Sequence, residues 1–177
     1  MKKYNVIYAD PPWRYKLWTG GGAADEHYPT MSIEDIKALP VDKLAAKDCA
    51  LFLWITFPML HEAWDVMRAW GFDFKTVAFV WIKLNRTADT LFWGMGHWTR
   101  ANAEICLLAT SGHPKRQAKN IHQIVISHVE EHSKKPEEVR RRIEALMGDV
   151  PRVELFARRP SLGWDVWGNE VESDLCL

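Results

Sequence analysis

An aspartate, two prolines and a tryptophan follow directly on an apolar run in "YNVIYADPPW" (4–13). Each proline fixes its own φ, removes a backbone N–H and biases the residue before it toward an extended conformation. Asp10 and Pro11 are therefore held extended. The turn presents acceptors and few donors: the Asp10 carboxylate and nearby carbonyls, beside the Trp13 ring. That pattern suits a flat ring bearing two N–H donors, which can bond the carboxylate and a carbonyl while stacking on the aromatic. The exocyclic amino group of a nucleobase is such a group. Asp-Pro also occurs in turns that merely end a strand. A carboxylate closing a buried strand in an α/β chain favours the chemical reading.

Two basic segments stand apart from this turn. "HSKKPEE" (132–138) by itself reads as a solvated helix start, but Lys135 immediately precedes a helix started by Pro136, where a cation and free backbone N–H groups can receive a carboxylate. In "GHPKRQAKN" (112–120), Lys115, Arg116 and Lys119 are candidates for phosphate contacts, the alternative being a solvated basic loop. The cysteines show no paired metal-ligand spacing, and no metal is predicted. The absence of a GxGxxG stretch argues against a dinucleotide cofactor.

The elements that must carry these residues follow from the apolar runs. Strands are predicted over 4–9, 49–56, 74–83, 103–110, 123–128 and 152–157. A helix starts near residue 33, where Ser32 and Asp35 form a weak capping box, and others cover 58–70 and 136–148. Strands that are continuous apolar runs, alternating with helices, imply a parallel-rich sheet covered on both faces. Ligands of such sheets lie beyond the carboxyl ends of the strands. The DPPW turn, the segment after 103–110 and the segment after "VELF" are all expected there. Two long connections, 14–31 and 84–100, carry glycines and aromatics and read as lids.

Composition sets the outer bounds. At 177 residues and 47% hydrophobic, the chain fits a single domain spanning 1–177. The formal net charge is zero, so no basic field announces a nucleic-acid binder, though a basic rim on a cleft would leave the total unchanged. Cys49, Cys106 and Cys176 lie far apart and read as reduced thiols of a cytoplasmic protein. The apolar run after "MKK" is too short for a signal peptide, and "CALFLWITFPML" is too short to span a bilayer. Ten tryptophans serve packing first, and those near polar loops suit a pocket for a flat ring.

Seven segments, in this order, resemble the MT-A70 family of amino methyltransferases: "ADPPW", "HYPTMS", "LFLWIT", "GHWTRANAEICLLAT", "HSKKPEE", "VELFAR" and "WGNE". The resemblance implies a Rossmann-like class I methyltransferase, an α/β fold with a mostly parallel sheet and helices on both faces. Its motif order is permuted, with the catalytic DPPW before the main cofactor strand. It implies S-adenosylmethionine as cofactor, with Lys135 on the methionine carboxylate, Phe156 and Arg158 beside the ribose, and Asn169 and Glu170 at the adenosine. It places Tyr28 facing the target base and Glu104 near substrate and cofactor, with His97 a further candidate. "RRPSLGW" departs from members that carry His-Asn after the arginine.

The chemistry implied is methyl transfer to the N(6) amino group of adenine in DNA, with Asp10, Pro11, Pro12 and Trp13 as the catalytic turn. A base within a duplex cannot reach such a pocket, so the target is single-stranded or flipped. The alternatives are the same reaction on RNA, and a non-catalytic nucleic-acid-binding protein that supports an active partner. A nucleic acid is the expected partner, DNA ahead of RNA, with no membrane and with room for a homo- or heterodimer.

Overall fold

The computed structural model describes residues 2–14, 30–96, 98–131 and 134–177. Among these residues eight strands form one sheet: β1 (Tyr4–Ala9), β2 (Ala45–Ile55), β3 (Asp73–Asn85), β4 (Ala88–Leu91), β5 (Glu104–Ser111), β6 (Ile124–His128), β7 (Arg152–Leu155) and β8 (Asp165–Trp167). The spatial order is β4-β3-β5-β2-β1-β7-β8, with β6 paired to β3. The pairs β1–β2, β1–β7, β7–β8 and β3–β6 are parallel, whereas β5 runs against both β2 and β3, and β4 against β3. Six strands thus share one direction. This is the mostly parallel, Rossmann-like sheet expected, and the DPPW turn precedes in sequence the β7 strand that lies beside it.

The helices α1 (Ile33–Ala38), α2 (Leu60–Ala69) and α3 (Glu137–Met147) cover both faces. Alternation along β1 and β2 sorts the core. Ile7, Ala9, Leu51, Leu53 and Ile55 face α1 and α2, packing on Ile36, Ala63, Val66 and Met67. Tyr8, Phe52 and Trp54 face α3, packing on Val139, Ile143 and Met147. Ser32 caps α1, its hydroxyl accepting the Asp35 N–H at 3.1 Å, as the capping-box pattern requires. Helix α2 buries residues at helical spacing and stops where Gly71 takes φ +79°. Helix α3 is tied to β7 by the Arg140–Glu154 pair at 2.7 Å, which sets the position of the residues just before the helix.

Three expectations change. The segment 84–100 is not one long connection, because Ala88–Leu91 turns back on β3 as β4. The strand β8 is only three residues long, too short to stand out from the polar sequence around it. The antiparallel β5 carries the largest consequence: its start, Glu104, shares the end of the sheet where β1 finishes. Its exit, and with it Lys115, Arg116 and Lys119, lies at the opposite end. Eight residues at about 3.3 Å each separate the two ends by roughly 25 Å.

Candidate active site

Four charged side chains meet at the carboxyl end of the parallel strands. Asp10 follows β1 directly, and its Oδ2 accepts a hydrogen bond from Lys135 Nζ at 2.9 Å. Lys135 also reaches Glu104 Oε2 at 3.3 Å, and Lys83 Nζ, from β3, meets Glu104 Oε1 at 2.5 Å. The result is an alternating row, Lys83–Glu104–Lys135–Asp10. Lys135 and Glu104 are 13% and 17% exposed at their side chains, while Asp10 is the more open end at 31%. Trp54 forms the floor, its ring centroid 5.6 Å from the Lys135 ammonium.

Burial and partners pull these groups in opposite directions. Burial pushes the Asp10 carboxyl up, against the pull of Lys135. For Glu104 burial acts the same way, but Lys135 and Lys83 together outweigh it and hold the carboxyl below its usual range. Lys135 is disfavoured by burial yet held firmly as the ammonium by Asp10 and Glu104. Glu104 and Lys135 are thus shifted toward their charged forms, while burial opposes the charge on Asp10.

The DPPW turn is rigid for reasons the sequence foreshadowed and for one it did not. The Trp13 N–H donates to the Pro11 carbonyl at 2.8 Å, and the Met31 N–H donates to the Pro12 carbonyl at 3.0 Å. Trp13 and Met31 form an isolated parallel bridge, and Arg14 Nε donates to the Thr30 hydroxyl at 3.0 Å. The expected open face of Trp13 is not found. The ring is 4% exposed within the core, and its Nε1–H donates to the Trp54 carbonyl at 3.0 Å. An indole buried with its one donor satisfied is an anchor for the turn rather than a platform for a base.

The strand ends beside Asp10 supply the rest. Beyond β7, Phe156 takes φ +63°, a left-handed conformation rare for a bulky residue, which bends the chain sharply away from the strand. Its ring meets Trp167 edge-on at 5.3 Å. The Ala157 N–H donates to the Trp167 carbonyl at 2.9 Å, and a Cβ at Gly168 would lie 2.1 Å from the Ala157 carbonyl oxygen. Only glycine permits that approach. Arg158 Nε donates to Glu170 at 3.0 Å, both half-exposed, and Asn169 is exposed between them and β8.

A family model described as MT-A70 matches residues 4–170. The chain belongs to the MT-A70 family. Among its relatives, the type II methyltransferase M.MunI of a Mycoplasma species is 35% identical over 96% of this chain and 78% of its own length. The N(6)-adenosine-methyltransferase MT-A70-like protein of Drosophila melanogaster is 29% identical over 96% of this chain, but only 27% of its own length. For the human N(6)-adenosine-methyltransferase catalytic subunit METTL3 the figures are 26%, 96% and 28%. The chain therefore spans most of the Mycoplasma protein and about a quarter of the animal ones.

In this MT-A70 chain the structure gathers Asp10, Glu104, Lys135, Phe156, Arg158, Asn169 and Glu170 at one end of the sheet. Tyr28 and His97 lie outside the described residues. Lys115, Arg116 and Lys119 stand at the far end, on the loop after β5. Lys83 was missed by sequence reasoning. It lies near the end of β3, where a lysine ordinarily reaches water, and its partner lies 21 residues away.

Proposed function

We propose that this MT-A70 chain transfers the methyl group of S-adenosylmethionine to the N(6) amino group of adenine in DNA. The observation that carries this reading is Asp10: a carboxylate on a donor-poor, anchored turn, at the sheet end where Lys135 and the β7 and β8 exits converge. The residues present suit the cofactor by their chemistry. Lys135 is a cation beside a helix start and would hold the methionine carboxylate, and Glu170 and Arg158 offer an acceptor and a donor to ribose hydroxyls. Phe156 and Asn169 border the same exits. The cofactor, when bound, supplies an electrophilic methyl group.

The protein's own task is to make a poor nucleophile reactive. The lone pair of an adenine amino group is delocalised into its ring. Asp10 has a second carboxylate oxygen besides the one bonded to Lys135, and the Pro11 carbonyl has a second lone pair besides the one taken by Trp13. Accepting one N–H each, they fix the amino group and draw its lone pair toward nitrogen. Asp10 acts by orientation and charge, and no step requires it to take a proton before transfer. Reaching this pocket requires a flipped or single-stranded base.

DNA is favoured by the M.MunI relative, which this chain matches over most of both lengths. RNA is the second reading, favoured by the relatives named as adenosine methyltransferases. One assay separates them: labelled methyl transfer to single-stranded DNA, duplex DNA and RNA, followed by nucleoside analysis. N(6)-methyldeoxyadenosine as main product supports the proposal. N(6)-methyladenosine alone would move the substrate to RNA, and no product with any of the three would leave a non-catalytic binding role.

A further inference from the structure

Lys83 belongs to none of the segments through which the MT-A70 family is legible, yet its side chain is only 16% exposed and ends on Glu104. We propose that Lys83 is a positioning residue that holds the Glu104 carboxylate against Lys135, and thereby fixes the Lys135 ammonium beside Asp10.

The contacts are divided in a way that makes Glu104 a bridge. Its Oε1 takes Lys83 at 2.5 Å and its Oε2 takes Lys135 at 3.3 Å, so two cations on opposite sides set one carboxylate orientation. Lys83 is itself closely held. Its ammonium stands 4.9 Å from the Trp81 ring centroid. Asn102 grips its backbone from both sides, accepting the Lys83 N–H at 3.0 Å and donating to its carbonyl at 2.9 Å. A lysine left to itself extends its ammonium into water and keeps its rotamer freedom. Here that freedom is given up for a place inside the charged row.

The charges explain what Lys83 adds. Asp10, Glu104 and Lys135 alone would be two carboxylates competing for one ammonium. With Lys83 the row balances, and Glu104 is satisfied without drawing Lys135 away from Asp10. Uncompensated carboxylates this close in a half-buried site disfavour each other's ionised form.

The kinetic arm of the test rests on the proposed methyltransferase reading; the contact itself does not. Carbon-13 carboxyl NMR would follow Glu104, its signal assigned by its loss in Glu104→Gln. The groups facing Glu104 are Lys83 from β3, Lys135 ahead of α3, Asp10 through Lys135, and Cys106 on its own strand. Lys83→Met should move the Glu104 titration upward by about one pH unit or more, and Lys83→Arg should leave it near the parent. Lys83→Met should lower kcat about 10–100-fold and weaken S-adenosylmethionine binding by less than Lys135→Ala does, with Lys83→Arg recovering most of both losses. In a Glu104→Gln background, Lys83→Met should change kcat less than about twofold, because the residue it acts through is gone. An unmoved Glu104 titration, or losses that multiply in the double variant, would overturn the proposal. Should Lys83→Met fail to fold, Lys83→Arg and the double variant, which has no unpaired carboxylate, decide the point. If the parent itself methylates nothing, the functional reading fails while the NMR result still stands or falls alone.

Discussion

Asp10→Asn keeps the shape of the side chain and exchanges one acceptor oxygen for a donor. The structure lets stability and activity be separated. On the stability side, the amide oxygen still accepts from Lys135 but the carboxylate charge of the pair is lost, at a cost of at most about 1.5–3 kcal/mol. Two features offset part of that loss. Lys135 keeps Glu104 at 3.3 Å, so no ammonium is stranded, and the burial that pushes the Asp10 carboxyl up is relieved by a neutral amide. The net destabilisation is about 1–2 kcal/mol, or about 2–8 °C in Tm at this chain length. On the activity side, the new NH2 faces an N–H of the target amino group. An attraction in the transition state becomes a conflict, and removing one such contact ordinarily lowers the rate on the order of 10²–10³. The assay is single-turnover transfer of labelled methyl at saturating cofactor, alongside a melting curve. A folded Asp10→Asn protein that methylates at the parent rate would refute the orienting role, whatever family the chain belongs to.

Other outcomes follow from the same geometry. Trp13→Phe should destabilise by about 2–4 kcal/mol, from lost volume and an unsatisfied Trp54 carbonyl; a stable variant with weakened base binding would restore the stacking role instead. Lys135→Ala should weaken S-adenosylmethionine binding about 10–150-fold by calorimetry, and unchanged affinity would remove Lys135 from the cofactor site. Replacing Lys115, Arg116 and Lys119 together by alanine should leave both rate and salt dependence on a short oligonucleotide unchanged. A slope reduced by about 0.7–0.9 per residue would place the substrate at the far end of the sheet. Glu104 is held low by burial outweighed by Lys135 and Lys83, so its contribution to stability is complete above its unfolded pKa of about 4.3. It is lost as pH falls through the lower folded value, and urea melts of Glu104→Gln should show a flatter acid limb than the parent.

Much of the sheet was legible because buried strands announce themselves as unbroken apolar runs. "VIYA" and "ALFLWI" carry both core faces, and each was placed to within a few residues. Direction was not legible, since side-chain alternation reads the same along either sense of a strand. For that reason "GHPKRQAKN" was expected at the wrong end. The polar, three-residue β8 is held by pairing to β7 and not by its own composition. Asp10, Glu104, Lys135 and the exits at Phe156 and Gly168 were accessible through motif resemblance. The burial of Trp13 was not, because it depends on a carbonyl 41 residues away. Lys83 was invisible for the same reason: what distinguishes it from a solvated strand end is a partner on another strand.

The bridge between Trp13 and Met31 bears on how the chain can change over time. Three contacts close it: the paired strand-like residues, the Met31 N–H on the Pro12 carbonyl, and Arg14 on Thr30. These contacts join the chain on either side of residues 15–29, and they hold the turn that carries Asp10. Doubling the length of a flexible insert there adds only about 0.6 kcal/mol of closure entropy. The Trp13–Met31 bridge is therefore a socket. Inserts of different length can be grafted at this point while the DPPW turn stays where it is.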